Sequence, residues 1–84
     1  MPDDFEIKVP DQLEAGVYAN SVRLWNTRSE FTIDFLARPA NDGEPDLARV
    51  VSRVKIATIF MFQLIQELNA NMTEYEQNYG EIKT

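Results

Sequence analysis

Apolar residues in the C-terminal part of the chain recur at the spacing of an amphipathic helix. Between positions 58 and 80 they stand alternately four and three residues apart, at Met61, Ile65, Leu68, Met72, Tyr75 and Tyr79. This spacing places all of them on one stripe of a helix. Thr58 is a candidate N-cap, and Gly80 is a candidate C-terminal stop. We therefore predict a helix over about 58–79, roughly 30 Å long.

Earlier in the chain, apolar and polar residues alternate with the period of two that strands require. The alternating segments span about 5–9, 17–26, 30–38 and 47–56. Pro10 ends the first segment, which favours an edge strand because proline cannot donate to a ladder. The predicted fold is α+β: one domain over residues 1–84, with a three- or four-stranded antiparallel meander and one long C-terminal helix packed on it.

Segments 17–26 and 30–38 form the clearest predicted hairpin. Pairing about the middle of the polar break at 26–29 puts Leu24 opposite Phe31 and Arg23 opposite Thr32. A shift by one residue would turn the apolar row toward water, so burial favours the predicted facing. The break lacks Asn-Gly turn chemistry, which indicates a loop longer than two residues.

One sheet under one helix leaves the second sheet face uncovered. That face would carry the apolar residues Trp25, Leu36 and Val51 among the charged residues Arg23, Asp34, Arg49 and Arg53. A mixed face of this kind commonly meets a partner. We predict a partner-binding surface made of Trp25, Arg23, Arg53, Leu36 and Val51.

The helix stripe narrows in its second half. Phe60 and Leu64 widen it at the start, whereas single apolar positions flanked by Asn and Glu continue it from Leu68 onward. A narrow seam is typical of a helix–helix contact. We predict a homodimer interface of Leu68, Met72, Tyr75 and Tyr79; packing of the whole stripe inside one chain is the alternative.

Composition removes several kinds of chemistry. The 84 residues include no cysteine and no histidine, so disulfides, thiolate metal sites and histidine catalysis are excluded. Glu30 and Asp34, four apart on a strand, lie too far from each other for carboxylate-pair hydrolysis, and we interpret them as surface acids neutralised by Arg23, Arg53 or Lys55. We expect no enzyme, no cofactor and no metal.

Charge and hydropathy limit the partners. The net charge of −6 disfavours broad nucleic-acid binding. The apolar run at 56–62 is too short to span a bilayer, and the acidic start lacks signal-peptide character, so we expect a cytoplasmic protein. The composition of the segment 39–46, PANDGEPD, predicts an acidic linker. We do not expect it to bind calcium, because it lacks most of the ligands of a calcium loop.

Particular strings in the chain resemble a known family. They are GVYANSVRLWNTRSEFTIDF, then RVVSRVKIA, and a helix ending in YEQNYGEI. The sequence resembles domain of unknown function family 3467, small proteins of bacteria and archaea, over nearly the whole chain from Phe5 onward. The resemblance rests on Gly16, Val17, Tyr18, Ala19, Asn20, Glu30, Phe31, Asp34, Phe35, Arg49, Val50, Arg53, Tyr75, Glu76, Gly80 and Ile82. The resemblance implies an architecture and no established activity.

These observations favour a small non-catalytic interaction or scaffolding module that acts as a homodimer and presents its open sheet face to another protein. One alternative is a holdase-like chaperone, since a strand meander with a long helix is similar in layout to the export chaperone SecB. Another is a nucleic-acid-associated regulator, because a sheet that binds single-stranded nucleic acid does so with basic side chains beside an aromatic one, here Trp25.

Overall fold

In the part of the chain that the structure describes, an antiparallel sheet is followed by a long helix. The structure is a computed structural model that describes residues 5–39 and 47–83. Strands β1 (Ser21–Asn26), β2 (Glu30–Ala37) and β3 (Arg49–Ala57) pair in the order β1-β2-β3, and helix α1 spans Met61–Tyr79. The predicted α+β class is confirmed, and the described residues contain three of the three or four predicted strands. Most of the predicted linker at 39–46 lies outside the described residues.

The predicted strand at 5–9 does not form. Within the described residues it pairs with no other strand, and Ile7 is 81% exposed. A short 3-10 turn at Asp11–Leu13 follows it, and β1 begins at Ser21 rather than at 17. The reason is that alternation predicts an extended chain but identifies no partner edge for it.

The hairpin register differs from the predicted one by two residues. Leu24 pairs with Ile33 rather than with Phe31, and Arg23 pairs with Asp34 rather than with Thr32. A shift by two keeps every side chain on its predicted face, so the burial argument could not distinguish the two registers. The tight turn follows Thr27, whose N–H donates to the carbonyl of Glu30 at 2.9 Å.

A side-chain clamp continues the hairpin beyond β1. The amide of Asn20 donates from Nδ2 to the Arg38 carbonyl at 3.1 Å and accepts at Oδ1 from the Arg38 N–H at 2.9 Å. Asn20 also donates its own backbone N–H to the Leu36 carbonyl at 2.9 Å. The side chain of Asn20 therefore has a structural role, because it ties the residue before β1 to the residue after β2.

A β-bulge interrupts the pairing of β2 with β3. Up to Phe35, opposite Ser52, the register is regular; beyond it Leu36 pairs with Val50, so that Val51 has no residue opposite it. Ala37 then pairs with Arg49. Paired residues share a face of the sheet. The bulge therefore puts Val50 on the face of Leu36 and Arg49 on the face of Ala37.

The helix starts later than its predicted N-cap suggested but ends at the predicted residue. A 3-10 turn at Thr58–Phe60 precedes α1, and neither element has a side-chain capping bond, so the assignment of Thr58 as N-cap is wrong. Gly80 does end the helix, as predicted. Its φ of 92° with ψ of 176° is a region open essentially to glycine, and its N–H donates to the Glu76 carbonyl at 2.8 Å.

The two sheet faces have different environments. The apolar face consists of Val22, Leu24, Phe31, Ile33, Phe35, Val54 and Ile56, and the charged face of Arg23, Trp25, Glu30, Thr32, Asp34, Arg53 and Lys55. The first turns of α1 lie over the apolar face but leave a gap of about 440 Å³, called the groove here. It is lined by Val22, Leu24, Ile33, Phe35, Met61, Leu64, Ile65 and Leu68.

The single chain is more open than folded monomers of its size. Its radius of gyration is 16.0 Å, whereas about 12 Å is typical for this length. The accessible surface is 7955 Å², against about 5,100 Å² for a folded monomer of this mass. Among the described apolar residues only Ile56 is buried. Apolar side chains that a folded monomer would normally bury therefore remain exposed on the apolar face.

Candidate functional site: an arginine–tryptophan cluster on the charged face

Asp34 lies at the centre of the charged face, between one arginine from each neighbouring strand. The pairing puts Arg23 of β1 and Arg53 of β3 directly opposite it. Arg53 donates from Nε to Oδ1 at 2.6 Å and from Nη2 to Oδ2 at 2.9 Å, and Arg23 donates from Nη2 to Oδ2 at 2.7 Å. Both carboxylate oxygens of Asp34 are thus satisfied by charged donors.

Asp34 has no accessible surface, and it is held in the ionised state. The hydrogen bonds from Arg53 are the main cause that lowers the pKa of Asp34 far below its usual range; burial opposes this, and Arg23 adds to the lowering. The same contact raises the pKa of Arg53. Asp34 and Arg53 therefore stay charged at neutral pH.

Trp25 lies against both arginines. The Arg23 Cζ is 5.1 Å and the Arg53 Cζ 5.4 Å from the centroid of its ring, within the range of a cation–π contact. Trp25 itself remains 39% exposed. Together with Asp34 these residues form what we call the Asp34 cluster, which holds two guanidinium groups and one aromatic ring in a fixed arrangement at the surface.

The Asp34 cluster keeps binding capacity toward solvent. The side chains of Arg23 and Arg53 are 58% and 50% exposed, and their hydrogen bonds to Asp34 use only part of the N–H donors that a guanidinium carries. Two arginines against one aspartate leave a net positive charge. Such an arrangement can bind an anionic oxygen group beside an apolar surface.

Glu30 makes a separate ion pair on the same face. Lys55 donates from Nζ to Glu30 Oε1 at 3.2 Å, and both side chains are substantially exposed. Neighbouring bases neutralise both Glu30 and Asp34, as predicted, but the prediction of a surface position is wrong for Asp34. The sequence did not indicate that Asp34 would be completely buried, because that burial follows from the cross-strand register.

The remaining residues predicted for this surface are only partly brought together. Leu36 is half-buried on the charged face and pairs with Val50 of β3, whereas Val51 lies in the bulge with no residue opposite it. Arg49 pairs with Ala37 and so belongs to the opposite face from Arg53. The expected gathering of Arg49 with the other bases is wrong.

The residues predicted for the dimer interface lie on the exposed part of α1. Leu68, Met72, Tyr75 and Tyr79 are 61%, 52%, 48% and 75% exposed, respectively. Leu68 lines the groove, whereas the two tyrosines contact each other with ring centroids 5.0 Å apart. The distal stripe, defined as Met72, Tyr75 and Tyr79, thus presents apolar surface beyond the groove.

The groove is the feature that sequence patterns missed. They placed the helix over the apolar face and gave no signal that the two would remain apart. The only hint was the width of the helix stripe, which is broad just where the groove is lined and narrow beyond it.

Two kinds of site are not found among the described residues. None of the described helices has the length and apolar character needed to cross a membrane. In the same part of the chain, no group of three or more acidic, histidine or cysteine side chains is arranged to hold a metal ion.

The sheet, the helix and the Asp34 cluster define a small α+β protein whose sheet is apolar on one face and carries an organised charged cluster on the other. The family described as "Protein of unknown function (DUF3467)" matches residues 1–84, and the chain belongs to that family. Comparison with curated proteins and comparison with solved structures each gave no match.

Proposed function

We propose that this protein is a small, non-catalytic, cytoplasmic interaction module that acts as a homodimer and docks another protein on its charged face. The observation that carries the proposal is the Asp34 cluster: two half-exposed guanidinium groups, fixed by a buried carboxylate, flank an exposed indole. Tryptophan and arginine are the residues most enriched at the energetic centres of protein interfaces.

The chemistry of the docked partner follows from the charge of the cluster. The free guanidinium edges favour a carboxylate, and the exposed Trp25 ring favours an apolar residue beside it. Lys55 is already paired with Glu30, so the described part of the charged face offers one compact positive site rather than an extended track. We therefore expect an acidic–apolar peptide segment, and we expect a nucleic-acid strand to bind poorly.

Trp25 is the only tryptophan in the chain, so its fluorescence reports directly on this site. The protein is titrated with a synthetic peptide of alternating Glu and Leu, with the same peptide carrying Gln for Glu, and with a single-stranded oligonucleotide. A saturable change in emission with the Glu peptide alone supports the proposal. No saturable change with any peptide contradicts it, and a response to the oligonucleotide alone favours the nucleic-acid regulator.

A variant separates binding from folding. Arg23→Gln removes one guanidinium but leaves both Arg53 hydrogen bonds to Asp34 in place. We expect about a tenfold loss of affinity for the Glu peptide, the size of one exposed charged contact. Arg28→Gln, at the exposed hairpin turn, is the matched control and should leave the affinity unchanged.

The groove favours a second candidate, a holdase-like chaperone. Its lining is entirely apolar and half-exposed, which would suit unfolded client segments. This candidate requires the native protein to bind a hydrophobic dye and to suppress aggregation of a client protein. The interaction module requires neither effect, because a second copy would close the groove.

A further inference from the structure

The groove and the distal stripe are two apolar surfaces of one chain that do not meet within it. The groove is lined by the first turns of α1, up to Leu68, together with the sheet. The distal stripe lies beyond Leu68, where Met72 is 52% and Tyr75 48% exposed. Each copy therefore has an unfilled groove and a distal stripe that contacts nothing in the groove of its own chain.

The surface in excess is large enough for a stable dimer interface. The chain exposes about 2,800 Å² more than a folded monomer of its mass. A stable interface of standard size takes only about 800 Å² from each partner. Less than a third of the excess would suffice for a stable dimer.

Charge favours insertion of the helix beside the sheet over a helix–helix seam. α1 carries Glu67, Glu74 and Glu76 but neither lysine nor arginine, so two copies of it side by side would bring like charges together. The apolar face has a basic residue at its end, because the bulge turns Arg49 onto it opposite Ala37. Glu76, one turn beyond Met72, lies beside the distal stripe and complements that basic residue.

We infer that the occupant of the groove is the distal stripe of α1 from a second copy, so that the two chains exchange helix ends about a two-fold axis. This inference rests on the proposed homodimer and names the surfaces that form it. Under two-fold symmetry each copy both provides and fills a groove, and the contact closes on itself. The interface predicted from the sequence as a helix seam thereby becomes a contact between helix and sheet.

The absence of native cysteines allows a direct test of this contact. Chains carrying Leu24→Cys in the groove and Met72→Cys on the distal stripe are mixed, refolded together and oxidised under mild conditions. Disulfide-linked pairs are identified by intact mass. We expect the mixed Leu24→Cys/Met72→Cys pair to exceed either like pair by about tenfold, since a disulfide forms only between residues a few ångström apart. Leu13→Cys, in the exposed 3-10 turn, is the control for random collision.

Other outcomes overturn the inference in distinguishable ways. Dominant linkage of Met72→Cys to itself would show a helix seam, and dominant linkage of Leu24→Cys to itself would show sheet against sheet. In the double variant Leu24→Cys/Met72→Cys, linkage within one chain at high dilution would show that the helix closes on its own sheet. A monomeric mass of the unmodified protein by sedimentation equilibrium would instead reject the homodimer itself.

A second measurement does not depend on disulfide geometry. Met72→Lys places a charge on the distal stripe, where the isolated chain leaves it exposed. We expect the dimer to dissociate while the sheet remains folded by circular dichroism. Gln77→Lys adds the same charge at another exposed position of α1 and should keep the dimer; equal behaviour of the two variants would contradict the inference.

Discussion

The charged face and the apolar face of the sheet reverse the usual relation between polarity and burial. On the charged face, Asp34 has no exposed surface and Thr32 is 3% exposed. On the apolar face, Leu24 is 52% and Val22 58% exposed. Polar side chains are thus buried on the charged face, whereas aliphatic side chains are exposed on the apolar face.

The difference lies in what each face can supply for itself. Arginine and tryptophan side chains are long enough to fold over their own sheet, so Arg23, Arg53 and Trp25 cover Asp34 without help from another layer. The shorter aliphatic side chains of the apolar face cannot cover one another in this way and need a second layer. The charged face is thus complete within one chain, whereas the apolar face requires another element to be complete.

Removing the charge of Asp34 should have the largest effect on the charged face. Asp34→Asn keeps the shape of the side chain but faces two arginines with an amide whose nitrogen cannot accept their hydrogen bonds. We expect the melting temperature to fall by roughly 10 °C or more, because charge-assisted hydrogen bonds are lost and a buried amide nitrogen is left without an acceptor. Thermal unfolding followed by circular dichroism measures this, and a change of a degree or two would contradict it.

Acid should reproduce that loss gradually. The folded-state pKa of Asp34 is lowered below its usual value of 3.8, so its contribution to stability is complete above that value and declines as the pH falls further. Urea unfolding between pH 5 and about pH 2 should show stability falling more steeply for the unmodified protein than for Asp34→Asn. Parallel curves for the two proteins would show that other carboxylates cause the acid sensitivity.

On the apolar face, truncation of Leu24 tests whether the groove is filled in solution. In a solitary chain Leu24→Ala removes a half-exposed side chain and should cost little, whereas in a filled groove it should cost about 2–3 kcal/mol. We expect the larger value, together with a melting temperature that rises with protein concentration. Leu13→Ala, at a site 62% exposed and outside the groove, is the control and should change stability by less than about 0.5 kcal/mol.

Much of the fold could be predicted from the sequence because it follows from local periodicity. The period-two runs gave β2 and β3 to within about two residues, and the helical stripe gave the end of α1 at Tyr79. The strand at 5–9 could not be excluded in this way, because its alternation is as regular as that of β2 and its pairing depends on a non-local edge.

The site was less predictable because it depends on register. The choice between Arg23 opposite Thr32 and Arg23 opposite Asp34 leaves all faces unchanged, and only the second assembles the Asp34 cluster. Placing a carboxylate between two arginines would have been a usable criterion for choosing between the registers. The bulge after Phe35 has no comparable signal in the sequence, and it turned Arg49 away from the face that carries Arg53.

The smallest expected effect separates the buried and exposed ion pairs within the charged face. Glu30→Gln breaks the pair with Lys55, whose side chain is 60% exposed, and should change the free energy of unfolding by less than about 1 kcal/mol. Added salt should weaken this pair further, whereas it should act less on the hydrogen bonds of buried Asp34. Urea unfolding of Glu30→Gln and Asp34→Asn at low and high salt gives the comparison. If the two variants lost similar stability, the closure of the charged face would be shared along β2 and would not depend on the position of Asp34 between two arginines.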